Sequence, residues 1–239
     1  MTRAALPPDA TGPPDRTRAV IFDNDGVLVD SEPLHRIAWE RVFRPRGAVV
    51  SEDDYAWSIG RRDLTFAGLI ADRFRLRDSA EALRDEKRRH YLKLLREESR
   101  TFGGLPELVR ALARTHRLGI ASSAIREAID TVIERFGLDG LFEAVVSQEE
   151  VADHKPHPQP YRLCAERLGV APARCVAIED SVSGVRSAKA AGMRAIGFTS
   201  TFPGDALREA DAVIGSMSDG PAILDLVDSL VERPDGGYA

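Results

Sequence analysis

The chain has few cysteines and no long apolar run, and each shortage narrows what the protein can be. Its 239 residues include two cysteines, Cys164 and Cys175. Two thiols argue against a disulfide framework and against a cysteine-based metal centre, and they fit a reducing compartment. No apolar run approaches the roughly 20 residues that a membrane-spanning helix needs. We therefore expect a cytoplasmic protein that does not contact a membrane.

A large net charge is also absent. The 33 basic and 38 acidic residues give a formal net charge of −5. That balance argues against a nucleic-acid binder, which usually presents a net basic face. The length is sufficient for one or two compact domains with their own cores. The composition thus favours an ordinary globular protein that does not bind nucleic acid.

The distribution of patterns along the chain predicts four parts. Residues 1–16 carry four prolines without a signal-peptide core, so we predict a disordered tail there and a loose C-terminal tail at 233–239. Residues 34–101 show only helical spacings, whereas 17–33 and 102–232 alternate strands with helices. Such alternation predicts an α/β fold, with a Rossmann-like parallel sheet and helices on both faces. The helical stretch is then an all-helical domain inserted after the first strand.

The first strand carries the most informative motif. The apolar run 19–22 ends in Asp23, and Asp25 and Gly26 follow. Ligands of open parallel sheets bind beyond the carboxyl ends of the strands, and residues two apart in an extended chain point the same way. Two close carboxylates need a cation or a shared proton, and a hard divalent ion would serve. An ordinary Asx-type turn is the alternative interpretation of the same residues.

Polar groups follow three later strand positions as well. Ser122 follows an apolar strand, Lys155 lies after the third strand, and Glu179 and Asp180 close the fourth. Because parallel strand ends share one edge of the sheet, we expect these groups to converge. Carboxylates can hold Mg²⁺, while a hydroxyl and an ammonium can hold phosphate oxygens. A spare carboxylate can attack phosphorus, so the set predicts phosphoryl transfer through an aspartyl-phosphate.

Together the motifs resemble the haloacid dehalogenase-like superfamily, in particular its sugar phosphatase and β-phosphoglucomutase branch. The resemblance spans about residues 18–200. Each motif alone is weak, and the specific signal is four motifs in the family's order, each after a strand. The matching segments are Asp23-Asn24-Asp25-Gly26-Val27, Ser122, Lys155-Pro156, and Glu179-Asp180-Ser181 with Gly184.

The resemblance implies a role for each acidic residue. Asp23 would be the nucleophile that becomes phosphorylated, and Asp25 would act as general acid and base. Mg²⁺ would take the Asp23 carboxylate, the backbone carbonyl of Asp25 and the Asp180 carboxylate, with Glu179 near or in that shell. Asn24 would point away from the site and leave the chemistry unchanged.

The resemblance also implies phosphate ligands and a substrate-selecting domain. Ser122, with Ser123, and Lys155 would hold the transferring phosphoryl group. The helical insertion 34–101 matches the family's small cap, which closes over the site, excludes water and selects the leaving group. A small phosphorylated metabolite is therefore the expected partner, and a monomer or weak homodimer is the expected state.

Four residues of the insertion are candidates for contact with the substrate. His35 fits either hinge packing or a gating role, and Lys93 fits either an ordinary solvated charge or a lysine that reaches the site. The cap arginine of the mutase falls in register with Asp63 here, which weakens a mutase assignment. Arg61 or Arg62 could take its place.

The predicted function is a Mg²⁺-dependent phosphatase that acts on a small phosphorylated metabolite of the sugar-phosphate type. A β-phosphoglucomutase-type mutase, which passes the phosphoryl group to a second sugar hydroxyl, is the first alternative. A non-catalytic binding protein on the same fold is the second, since fold does not fix function. The intact Asp23, Asp25, Lys155 and Asp180 argue against that second alternative.

Overall fold

The computed structural model describes residues 17–232, so the tails predicted at 1–16 and 233–239 lie outside the described residues. The chain forms two compact units. The first, which we call the core unit, ends at Val29 and resumes at Thr101; the second, the helical unit, is Asp30–Arg100. Among the described residues, no helix has the length and apolarity that crossing a bilayer requires.

The core unit is built on a single parallel sheet, which confirms the predicted α/β class. Six strands lie in the order β3-β2-β1-β4-β5-β6, and every neighbouring pair is parallel. The first strand, central in that order, has all four residues buried, as an apolar run should in a sheet covered on both faces. The strands are β1 (Ala19–Phe22), β2 (Arg117–Ala121), β3 (Ala144–Val146), β4 (Cys175–Glu179), β5 (Arg194–Phe198) and β6 (Ala212–Ile214).

The helical unit holds helices and no strand among its residues. An aromatic cluster forms its core: the ring of Trp39 stacks on Phe43 with centroids 5.0 Å apart, and Phe66 meets Trp39 edge-on. The backbone N–H of Asp30 donates to the Arg100 carbonyl at 3.0 Å, so the two ends of the unit are joined. Its helices are α1 (Glu32–Phe43), α2 (Glu52–Ser58), α3 (Asp63–Phe74) and α4 (Ala80–Glu98).

The helices of the core unit cover both faces of the sheet. Ala19 and Ile21 pack in one cluster with Tyr161 and Val185, so alternation along β1 turns Val20 to the opposite face. The chain changes direction along the sheet between β1 and β4, which is where open α/β sheets bind their ligands. These helices are α5 (Leu105–Leu112), α6 (Arg126–Arg135), α7 (Gln159–Leu168), α8 (Val182–Ala190) and α9 (Gly220–Glu232).

Candidate active site

The loop after β1 holds the first motif at the carboxyl edge of the sheet. The Asp23 N–H donates to the Ile178 carbonyl of β4 at 3.0 Å, which continues the β1–β4 pairing by one residue. The Asn24 carbonyl accepts N–H bonds from the next turn, the shortest from Leu28 at 2.8 Å. The tight turn therefore fixes the Asp23 backbone against β4.

Gly26 lets this loop approach the fourth motif. Its φ is +72°, in the left-handed region that favours glycine, and a Cβ there would lie 1.9 Å from Asp180 Oδ2. The same Cβ would lie 2.8 Å from Thr201 Oγ1, and the Ser200 hydroxyl donates to the Gly26 carbonyl at 2.5 Å. Only glycine allows the backbone this close to the Asp180 carboxylate.

Three carboxylates converge at this edge around one ammonium. Oxygen atoms of Asp23, Glu179 and Asp180 all lie within 4.8 Å of one another, and the three residues are 8%, 0% and 5% exposed. Lys155 Nζ lies 2.9 Å from Asp23 Oδ1 and 2.5 Å from Glu179 Oε1. The buried group thus holds more negative charge than Lys155 neutralises.

Burial, together with that excess charge, raises the pKa values of two of these acids. Burial raises the pKa of Asp23 to about 7; Lys155 opposes the shift, and Glu179 and Asp25 add to it. Burial also raises the pKa of Asp180 well above its ordinary value, with Glu179 and Asp23 contributing further. A bound cation would remove this penalty. The chemistry of the donor set, carboxylate oxygens alone, fits a hard divalent cation.

Glu179 differs from the other two acids because both of its oxygens already have donors. Its Oε1 accepts from Lys155 and from the Tyr161 hydroxyl at 2.7 Å. Its Oε2 accepts from the Ser181 N–H at 3.3 Å and the Ser181 hydroxyl at 3.1 Å. Four bonds fill the lone pairs of a carboxylate. Asp23 and Asp180 therefore have more capacity left for a cation than Glu179 has.

The start of α8 packs directly onto Glu179. Ser181 caps the helix, since its hydroxyl accepts from the Gly184 N–H at 3.0 Å. A Cβ on Gly184 would lie 1.9 Å from Glu179 Oε1, so the glycine makes room for the carboxylate. The helix start thereby fixes the position of Glu179 and, through it, of Lys155.

The loop that carries Lys155 is held from both sides. The Ser187 hydroxyl of α8 donates to the His157 carbonyl at 2.6 Å. The Asp153 N–H donates to Gln159 Oε1 at 2.7 Å, which closes the loop across the start of α7. These bonds hold the backbone on either side of Lys155, so its side chain extends to the carboxylates from an anchored loop.

The serine motif lies on the neighbouring strand. Ser122 follows β2, which pairs with β1, so it shares the sheet edge with Asp23. Its side chain is buried, and its hydroxyl accepts from the Ala124 N–H at 3.0 Å. Ser123 is exposed, and Asp25 is half-buried and bridges to Val29. The phosphate-binding role of Ser122 and Ser123 stays a prediction.

The four cap candidates lie in the helical unit. His35 is half-buried on α1, where it stacks on Tyr91 with ring centroids 4.1 Å apart. Lys93 is exposed on α4. Arg61 and Arg62 are also exposed, and the Arg61 guanidinium lies 4.4 Å from the centre of the Trp57 ring.

A second buried lysine, which the sequence-based predictions did not include, lies beside His35. Lys87 is 1% exposed, and its Nζ lies 2.7 Å from Asp63 Oδ2 and 2.7 Å from His35 Nδ1. The helical spacing held the signal: Lys87 lies four residues after Leu83 and four before Tyr91, on the apolar face of α4. Lys93, the predicted candidate, lies off that face and is exposed.

A second omission is Tyr161. It reads as an ordinary core aromatic, and nothing in its spacing shows that its hydroxyl meets Glu179. A buried tyrosine usually needs a hydrogen-bond partner, which was the available hint.

Comparison with known proteins agrees with these motifs. The chain matches the haloacid dehalogenase-like hydrolase family over residues 17–192. It is 32% identical over 222 residues to the phosphorylated carbohydrates phosphatase of Thermotoga maritima, covering 91% of this chain and 94% of that protein. It is 35% identical over 191 residues to hexitol phosphatase B of Escherichia coli, covering 77% of this chain and 84% of that protein.

A solved structure gives the same answer at the level of the fold. CbbY from Rhodobacter sphaeroides, crystallised in complex with phosphate, has a TM-score of 0.69 and 27% identity to this chain. The similarity covers 85% of this chain and 96% of CbbY. The four motifs lie at one edge of the sheet, and the family matches residues 17–192, which is most of this chain. The chain therefore belongs to the haloacid dehalogenase-like hydrolases.

Proposed function

We propose that this protein is a Mg²⁺-dependent phosphatase that hydrolyses a small phosphorylated sugar through an aspartyl-phosphate on Asp23. The observation that carries the proposal is the buried Asp23 carboxylate, 2.9 Å from the Lys155 ammonium and grouped with Asp180. The Thermotoga and Escherichia relatives are named as phosphatases, the first of phosphorylated carbohydrates, which supports this substrate class.

In the first half-reaction, an Asp23 oxygen forms a bond to phosphorus while the bond from phosphorus to the sugar oxygen breaks. Asp25 gives its proton to that leaving oxygen. In the second half-reaction, the Asp25 carboxylate takes a proton from water as the water oxygen forms a bond to phosphorus and the bond from phosphorus to the Asp23 oxygen breaks. Inorganic phosphate then leaves and Asp23 is restored.

Lys155 and the acidic cluster supply the electrostatics. The buried Lys155 ammonium would neutralise charge on the transferring phosphoryl oxygens. Asp23, Asp180 and the backbone carbonyl of Asp25 would hold Mg²⁺, and bound Mg²⁺ supplies further positive charge at the phosphoryl group. Glu179, whose oxygens are filled, would hold Lys155 instead of the cation.

The remaining expectations belong to the same proposal. Composition supports a cytoplasmic protein without nucleic-acid partners, and a monomer or weak homodimer is the expected state. The cap prediction for residues 34–101, with its candidates His35, Arg61, Arg62 and Lys93, stays a prediction.

A phosphate-ester screen with Asp23→Asn tests the proposal. Wild-type protein with Mg²⁺ should release inorganic phosphate from sugar phosphates, and Asp23→Asn should lose about a thousandfold or more of that rate. Asp139→Asn, which makes the same change at an exposed position, is the matched control and should retain the rate. Full activity of Asp23→Asn would contradict the nucleophile assignment. Isomerised sugar phosphate in place of inorganic phosphate would show a mutase.

A further inference from the structure

A fully buried tyrosine hydroxyl meets the acidic cluster from the side of the hydrophobic core. Tyr161 is the third residue of α7 and is 0% exposed. Its hydroxyl lies 2.7 Å from Glu179 Oε1, and the centre of its ring lies 5.1 Å from Lys155 Nζ. Because a carboxylate only accepts, the Tyr161 hydroxyl is the donor of this bond.

From these contacts we infer that Tyr161 is a positioning residue of the phosphoryl-transfer site: its hydroxyl holds Glu179, and Glu179 holds the Lys155 ammonium against Asp23. The inference rests on the proposed function, since it concerns the same site. It assigns Tyr161 no contact with the substrate, so the residue is not a catalytic one.

The contacts form one continuous chain. Glu179 Oε1 is shared by the Tyr161 hydroxyl and the Lys155 ammonium, and the same ammonium continues to Asp23 Oδ1. Ser181 holds the other oxygen of Glu179. Without the hydroxyl, Oε1 keeps its bond to Lys155 and loses its second donor. The carboxylate, and with it the ammonium, would then be held less firmly in position.

Packing alone does not account for a tyrosine at this position. The ring lies in the apolar cluster that includes Ile21, Cys164 and Ala177. A phenylalanine would fill the same space and avoid burying a hydroxyl, which costs free energy unless it is bonded. The hydroxyl is therefore present for its bond to Glu179. That bond is charge-assisted, and such bonds are short and directional.

The test is Tyr161→Phe, which removes one oxygen and keeps the ring. Loss of a group that orients the residues around a metal site typically costs 10-fold to 100-fold in activity or metal affinity, so we expect kcat/KM to fall by about that range. Calorimetry with inorganic phosphate and Mg²⁺ should show weaker binding by about 10-fold, without any turnover.

Cys164→Ala is the matched control. It also removes one heavy atom from α7, in the same apolar cluster, and Cys164 lies one turn beyond Tyr161. We expect it to lower the thermal unfolding midpoint and to leave phosphate and Mg²⁺ binding unchanged. A loss of binding in both variants, in proportion to their loss of stability, would overturn the inference, because core packing would then explain it.

A double-mutant cycle identifies the residue through which Tyr161 acts. In a Glu179→Gln background, Tyr161→Phe should have little further effect on phosphate binding, since contacting residues are coupled. Additive effects would overturn the inference.

The inference and the proposed function can fail separately. If the wild type hydrolyses esters and Tyr161→Phe matches it in kcat/KM and binding, the inference fails while the proposed function stands. If the wild type hydrolyses nothing and only Tyr161→Phe weakens phosphate binding, the proposed function fails while the positioning role stands.

Discussion

Among residues 17–232, each unit holds one lysine whose side chain is almost fully buried, and the two environments differ in their charge balance. Lys155 of the core unit is paired with two carboxylates that are themselves buried, Asp23 and Glu179. Lys87 of the helical unit is paired with Asp63, whose side chain is 41% exposed, and its Nζ also lies 2.7 Å from His35 Nδ1.

This difference in charge balance shows which cluster carries surplus negative charge. Around Lys87 one positive charge meets one negative charge, and the aromatic rings of Trp39 and Tyr91 lie 5.5 and 5.0 Å from the ammonium. The carboxylate of Asp63 therefore balances the charge of the Lys87 ammonium. Around Lys155 the acids outnumber the ammonium, so burial leaves negative charge that a cation can neutralise. A buried lysine alone therefore does not mark an active site; the surplus of acids beside it does.

Replacing each lysine by methionine should give the largest contrast. Lys155→Met leaves two buried acids without their ammonium, so we expect a loss of about 3 kcal/mol or more in the free energy of unfolding. Lys87→Met should lose less, about 1–3 kcal/mol, since Asp63 is partly hydrated already. Urea unfolding at pH 7 measures both. Added Mg²⁺ should restore part of the loss in Lys155→Met alone; equal losses and equal responses would show that the two clusters are alike.

A pair of helix glycines extends the comparison. Gly184→Ala places a methyl group 1.9 Å from Glu179 Oε1, so we expect a loss of about 1–3 kcal/mol from overpacking, together with reduced phosphatase activity. Gly68→Ala in α3 meets only Ala80 Cβ at 3.8 Å, so we expect a gain of up to about 1 kcal/mol from helix propensity. Thermal unfolding of both variants checks the opposite signs. A loss of stability in Gly68→Ala would show that the contact geometry does not decide the outcome.

Two acids, Asp54 of the helical unit and Asp23 of the core unit, have pKa values shifted in opposite directions, which gives a test by pH. Hydrogen bonds from Arg73 and Ser51 lower the pKa of Asp54 to about 2, whereas burial raises that of Asp23. A lowered pKa stabilises the fold above the unfolded value, near 4, and this stabilisation is lost as pH falls toward 2. Asp54→Asn should therefore cost about 1 kcal/mol at pH 7 and progressively less between pH 4 and pH 2. Unfolding at several pH values measures the difference, and a cost independent of pH would rule out the ionic contribution.

The smallest expected effect concerns the backbone at the end of α3. Arg75 has a φ of +52° at the helix C-cap, where glycine is the favoured residue. Arg75→Gly should therefore raise the free energy of unfolding by about 0.5–1 kcal/mol. Arg77→Gly, two residues on in the same exposed loop, lacks a positive φ and should give no gain. Chemical denaturation resolves the two, and a loss in Arg75→Gly would mean that the Arg75 side chain contributes more than its backbone costs.

Local pattern was enough to predict the fold class and the meeting of the acids. The apolar run 19–22 is the strand β1, with the same bounds. Asp23 and Asp180 could be brought together in advance because one rule, that parallel strand ends share an edge, spans any separation in sequence. Lys155 was found the same way, from its place after the third strand.

Contacts made by helix residues could not be predicted from the same rule. Tyr161 and Glu179 are 18 positions apart and meet only because α7 packs under the sheet edge. Lys87 and His35 are 52 positions apart, and their contact depends on how α1 and α4 pack. That Asn24 points away from the site stays a prediction; its side chain is fully buried, and among residues 17–232 neither of its amide atoms has a hydrogen-bond partner. Spacing carries no information about such tertiary neighbours.

The closed ends of the helical unit have an evolutionary consequence. Asp30 bonds to Arg100 at one junction, and the Thr101 hydroxyl donates to the Leu28 carbonyl at 2.8 Å on the other side of it. The points where the chain leaves and re-enters the core unit are therefore neighbours. The entropic cost of closing a longer insertion between them rises by only about 0.6 kcal/mol for each doubling of its length. Recombination could replace the inserted unit at this junction without shifting the register of any strand. Such an exchange would leave the acids of the core unit in place.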